Sequence, residues 1–173
     1  MGEVSLRQRP VPDPLSRAPC PMEEDQYKSI YRSVNQQKCV FEKAINTRRC
    51  GCARSHRFCL ADREGVACNS PAALDRCTAF LGQLRDRARF ALHQPTIGGP
   101  LPHTKEIKVQ LGGVHGLAHA LAPGSAPPVP DIDATLCEAL GRFEMIADLP
   151  YSEIMHTLVH FELRARRGLP RPG

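Results

Sequence analysis

The sequence predicts a mainly α fold: a small helical domain stapled by a cysteine-bound metal or cluster, with a short β element and a C-terminal helical hairpin. Three observations carry this. Cys39, Cys50, Cys52, Cys59, Cys68 and Cys77 crowd one window of a chain that has eight cysteines in all. Apolar residues recur at three- and four-residue spacing along much of the remainder. With 173 residues and no Trp, the chain has a modest core that needs help from a staple.

Residues 1–22 hold five prolines and little apolar content, so they read as a disordered arm that includes Cys20. A helical cysteine-rich domain follows over residues 23–93. Its first part, to about Thr47, carries Tyr27, Ile30, Tyr31, Val34, Phe41 and Ile45 at helical spacing, as one helix or as two broken near Asn35. Arg48 to Cys52 is a turn around Gly51, and Ala53 to Glu64 reads as a short helix closed by Gly65. Cys68 then falls in a loop. Ser70-Pro71 starts a further helix, with Ser as N-cap and Pro in the first turn, running to about Leu92 through Leu74, Cys77, Leu81, Leu84 and Ala88.

Residues 94–121 form the expected β element. Ile107, Val109 and Leu111 alternate with polar residues as in a strand, and Gly112-Gly113 turns the chain into a short helix ending near Leu121. Residues 122–130 are a Pro/Gly/Ser/Ala linker. Residues 131–167 then give the helical hairpin. Asp131 or Asp133 caps a first helix through about Ala147, with Leu136, Leu140 and Phe143 inward. Pro150 separates it from a second, Ser152 to about Arg166, with Ile154, Leu158 and Phe161 inward. Residues 168–173 are a frayed tail.

Charge and compartment narrow the chemistry. Over residues 39–93 ten Lys and Arg stand against five Asp and Glu, so the whole net charge of +5 is matched by the cysteine window alone. A basic surface there suits an acidic partner, or offsets the charge of a thiolate-bound centre. Met1 to Arg17 has no apolar signal region, and no apolar run is long enough to span a bilayer. The expectation is a cytoplasmic protein, with a composition rich in Ala, Arg, Pro and Gly that suits a GC-rich bacterial gene. Thiols stay reduced in that compartment, which favours metal over disulfides.

The spacing Cys39-x10-Cys50-x-Cys52-x6-Cys59-x8-Cys68-x8-Cys77 matches neither ferredoxin pattern and lacks the C-x2-4-C pairs of zinc ribbons. If extended, Cys50 and Cys52 point to one side about 6.6 Å apart. Two thiolates on one zinc need sulfurs roughly 3.8 Å apart, whereas thiolates on different irons of a cluster stay wider. This tilts the reading toward iron–sulfur, of the 4Fe-4S type, with zinc as the alternative. Cys39, Cys50, Cys68 and Cys77 form the core ligand set, Cys52 follows closely, and Cys59 ranks last as a thiol in a short helix.

Other chemistry is weaker. His115/His119 and His156/His160 are i, i+4 pairs, and Glu153 with His156 makes a Glu-x-x-His step with no second such step elsewhere. The simpler account makes Glu153, His156, His160, Arg164 and Arg167 a solvated helix face. No phosphate-binding loop or nucleophile motif is present, so catalysis has no motif to support it. Arg76, Arg85, Arg87 and Arg89, with Arg164, Arg166 and Arg167, offer basic helix faces to nucleic acid. The leading expectation is an iron–sulfur or related metal-centre protein acting in electron transfer, cluster handling or as an accessory subunit, docked to an acidic redox or enzyme partner. A zinc-stabilised module binding nucleic acid or protein, and a thiol-based redox sensor, are the alternatives.

Overall fold

The computed structural model describes residues 24–92 and 101–163. The expected arm with Cys20, the tail, and Arg164, Arg166 and Arg167 lie outside the described residues. The chain divides into two compact units, one ending at Val34 and the other starting at Asn35. The first contributes helix α1, Glu24–Val34, along which Tyr27 and Tyr31 stack one turn apart with ring centroids at 5.8 Å.

The second unit begins with a short extended stretch and then α2, Glu42–Asn46, so the helical pattern of residues 23–47 is two helices broken at Asn35. Strands β1, Ser55–Leu60, and β2, Arg63–Cys68, pair antiparallel from Ser55 opposite Cys68 to Leu60 opposite Arg63. Helix α3 runs Pro71–Ala91, starting as expected: Ser70 Oγ accepts the Ala73 N–H at 3.3 Å and Pro71 opens the first turn. Then come α4, His103–Leu121, α5, Ile132–Phe143, a 3-10 turn at Ile146–Asp148, and α6, Tyr151–His160. The protein is mainly helical with one small sheet.

Three expectations fail here for physical reasons. Residues 55–68 are a hairpin, not a helix. Its two-residue turn uses Ala61 at φ 55 in place of a glycine, so the usual turn signal is missing. Gly65 is a strand residue that makes room for its partner: a Cβ there would sit 2.5 Å from Phe58 Cζ. Residues 107–121, expected as strand, turn and helix, are one helix, α4. Val109 through Val114 are all buried, so the helix shows no polar face and its 3.6-residue period is masked. The C-terminal hairpin is replaced by a different pairing. Glu144 at φ 62 and the 3-10 turn redirect the chain, and α6 packs chiefly on α4.

Helix α4 is the hub, packed against α6, α5, α3 and α2. Its glycines set the closest seam: a Cβ on Gly112 would lie 2.8 Å from Leu158 Cα, and one on Gly116 would lie 2.8 Å from Ile154 O. Gly113 meets the Leu84 methyls of α3 in the same way. These glycines are packing residues rather than a turn.

A buried polar network ties α4 to α2. The Gln110 side chain accepts the Ala44 N–H at 3.0 Å and donates to Val40 O at 3.1 Å and to Glu106 Oε1 at 2.7 Å. Arg85 of α3 closes the network with paired hydrogen bonds to both Glu106 oxygens. Burial alone would raise the Glu106 carboxyl, but Arg85 and Gln110 outweigh it and hold the pKa below the ordinary value.

The seam makes a paired test. Gly116→Ala forces a Cβ against Ile154 backbone, which cannot yield locally, and should cost about 1–3 kcal/mol in urea unfolding. Gly82→Ala, inside α3 with nothing within 4 Å of a new Cβ, should instead gain about 0.5–1 kcal/mol.

Candidate functional site

The cysteines reach one region by separate routes. Residues 37–39 lie alongside β2: the Cys39 N–H bonds Val66 O at 3.0 Å and the Cys68 N–H bonds Gln37 O at 2.8 Å. This places Cys39 and Cys68 on neighbouring extended segments. Cys77 enters from the buried face of α3, two turns after its Ser70 cap. Cys50 and Cys52 sit either side of Gly51, whose N–H bonds Pro130 O at 3.0 Å and whose carbonyl accepts the Ile132 N–H at 2.9 Å. The linker and the start of α5 therefore clasp the Cys-x-Cys turn.

The aspartates at the start of α5 do two jobs each. Asp131 caps α5 by accepting the Ala134 N–H at 2.8 Å, and its other oxygen accepts the Ala53 N–H at 2.6 Å. Asp133 receives Arg54 at 3.3 Å and Arg76 at 3.0 Å. Backbone amides also reach the sulfurs. The Phe41 amide lowers the Cys39 thiol, and the Arg54 and Asp133 amides lower that of Cys52, against the rise that burial causes. Two of these three amides belong to residue i+2 of the thiol at i. The third comes from the first turn of α5, where the helix dipole favours negative charge.

Cys39, Cys50, Cys68 and Cys77 are buried, and Cys52 is half-buried. Cys77 lies within electrostatic reach of Cys39, Cys52 and Cys68, and Cys50 within reach of Cys39 and Cys52. Five of the six expected thiols are thus neighbours. Cys52 is an electrostatic neighbour of Cys39, Cys50 and Cys77. Cys59 stands apart: it is exposed on β1, four residues or about 13 Å along the strand from Ser55, the partner of Cys68. All seven described cysteines are free thiols, including exposed Cys137 on α5.

Among the described residues, no three His, Cys, Asp or Glu side chains converge as a ready-made ion-binding group. The thiols are neighbours at electrostatic range without pointing at a single centre. Burial, reinforced by neighbouring thiols, pushes Cys39, Cys50 and Cys77 from the ordinary 9.0 up to about 12. Burial also raises Cys52, against the pull of the two amides that donate to it.

Elsewhere the expected chemistry is mostly structural. Arg76 pairs with Asp133, Arg85 with Glu106, and Arg87 lies 3.9 Å over the Tyr151 ring. Three of the four arginines expected to form a basic face on α3 are committed within the chain. His115 is not a helix-face ligand: its Nε2 meets Arg49 O at 3.0 Å and its ring packs on Phe161 at 5.1 Å. Burial holds its pKa below the ordinary value. Glu153, His156 and His160 do form an exposed face of α6. Among the described residues no helix is long and apolar enough to cross a membrane.

The roles of Asp131, Asp133, Arg54 and Gln110 were not read from the sequence. Asp131 and Asp133 are visible there as helix-capping residues, but their partners lie 57 to 79 positions away. No protein-family model, curated protein or solved structure matches the chain.

The thiol burial has a pH signature. An unfolded chain gives up these protons near pH 9, whereas the folded chain holds those of Cys39, Cys50 and Cys77 until about 12. Their contribution to stability is therefore complete below pH 9 and lost as pH rises from 9 toward 12. Denaturant unfolding of the metal-free protein should show stability falling across that window, less steeply in Cys77→Ala. A flat profile would mean the thiols are not buried together.

Proposed function

We propose that Cys39, Cys52, Cys68 and Cys77 hold an iron–sulfur cluster of the 4Fe-4S type, with Cys50 packed beside it. The protein would serve in the cytoplasm as a small electron-transfer, cluster-handling or accessory subunit. One observation carries the reading: Cys77 has Cys39, Cys52 and Cys68 as electrostatic neighbours, all brought from separate segments. Four irons bridged by sulfide accept thiolates at wider separation than one tetrahedral zinc does.

The surroundings support the same reading. Amides donating to Cys39 and Cys52 stabilise thiolate charge and, in a cluster, raise its potential. Thiols lifted to about 12 carry almost no thiolate at neutral pH, which disfavours a fast disulfide-based sensor. Metal binding would instead displace the protons, since only deprotonated sulfur is a ligand. The basic excess of residues 39–93 suits an acidic redox or enzyme partner. A nucleic-acid role is weakened by the internal pairing of Arg76, Arg85 and Arg87.

The test is anaerobic purification with a visible spectrum and assays of iron, acid-labile sulfide and zinc. A brown protein with matched iron and sulfide is expected. Cys52→Ala and Cys77→Ala should lose the colour, while Cys59→Ser should keep it. Stoichiometric zinc in a colourless protein would overturn the cluster, and equal loss in Cys59→Ser would overturn the ligand set.

A further inference from the structure

The seam between α4 and α6 opens at one edge into a groove of about 880 Å³ whose lining includes His119, His156 and His160. An adjoining cavity of about 360 Å³ shares His119 and His156 and adds Glu153. None of these side chains takes part in the cysteine site. We propose that this groove is a second metal site, for a borderline divalent transition ion of the nickel, cobalt or zinc kind, chelated by His156 and His160.

The geometry begins with helix periodicity. His156 and His160 lie four residues apart on exposed α6 surface, with ring centroids 4.7 Å apart. A metal–nitrogen bond of about 2.0–2.1 Å puts an imidazole centroid roughly 3 Å from the ion, so two rings on one tetrahedral ion have centroids about 5 Å apart. The observed spacing meets that need without moving the backbone. The His160 ring is also oriented: its Nδ1 lies 2.8 Å from His156 O. Donation to that carbonyl fixes the proton on Nδ1 and leaves Nε2 as the lone-pair donor, the usual arrangement of a ligating histidine.

The third imidazole depends on the glycine seam. Because Gly116 has no side chain, the α6 backbone comes within 2.8 Å of where its Cβ would be. His119, one turn further along α4, is thereby placed beside His156 at the groove edge. Three donors do not already converge on one point. The site is therefore a two-imidazole chelate completed by water, with His119 able to join by a side-chain rotation. Imidazole donors without thiolate suit nickel, cobalt and zinc rather than calcium or magnesium.

Calorimetric titration of the full chain with Ni2+ near neutral pH tests this. One ion per chain should bind in this groove, and His156→Ala and His160→Ala should each weaken binding by ~10-fold or more. Circular dichroism should be unchanged in both variants, since both positions are exposed. Unchanged Ni2+ affinity in both variants would overturn the site. Cys77→Ala should leave the Ni2+ isotherm intact, so this site and the cysteine centre stand or fall separately.

Discussion

Gly51 is bonded on both sides to the start of α5, through Pro130 O and the Ile132 N–H, and the arrangement of the thiols depends on that clasp. Cys50 and Cys52 have no regular secondary structure of their own to hold them. The Asp131 carboxylate extends the clasp, capping α5 with one oxygen and receiving the Ala53 amide with the other. Asp133 then binds Arg54 from the turn and Arg76 from α3, so three segments share one carboxylate. The Asp133 amide, meanwhile, lowers the Cys52 thiol against the rise that burial causes.

The opposite side of the cysteine region is fixed from α4. Gln110 occupies both the Val40 carbonyl and the Ala44 amide, and so sets the chain immediately after Cys39. Arg85 and Glu106 hold Gln110 in turn. The network is fully paired, which is the condition under which buried polar groups specify a structure rather than weaken it. Helix α4 can lie this close to its neighbours because Gly112, Gly113 and Gly116 remove side-chain volume at three contacts. Core packing and cysteine placement are consequently one problem. Burial lifts three of the thiols in this frame, Cys39, Cys50 and Cys77, to about 12.

Helix α3 and the first turn of α5 were legible in the sequence because their signals are local: a Ser-Pro start, an aspartate cap, an apolar stripe. The inward place of Cys77 followed from the same stripe. What escaped was set by tertiary contact. Alternation at Ile107, Val109 and Leu111 looked like a strand because α4 is buried around most of its circumference and has no polar face to reveal its period. The hairpin escaped because Ala61 takes the left-handed turn position that a glycine usually marks, while Gly65 serves to admit the Phe58 ring. Placing Cys59 in the cysteine cluster failed with it, since a strand carries that thiol away from the others. The α5 amide that acts on the Cys52 thiol comes from 81 positions further on, beyond the reach of any local signal.

Two kinds of donor are thus kept apart in one small unit: sulfurs gathered by the α5 clasp, and imidazoles along the α4–α6 seam. Arg49 links them, lining the histidine groove immediately before Cys50 while its guanidinium sits 4.4 Å over the Phe161 ring. The central claim is that the gathered sulfurs hold a cluster. Iron K-edge absorption on the anaerobically isolated protein addresses it most directly. A first shell of sulfur alone, with an iron–iron scatterer beyond it, is the predicted result. An iron shell of nitrogen or oxygen without a second iron, or an absence of iron with zinc in its place, would contradict it.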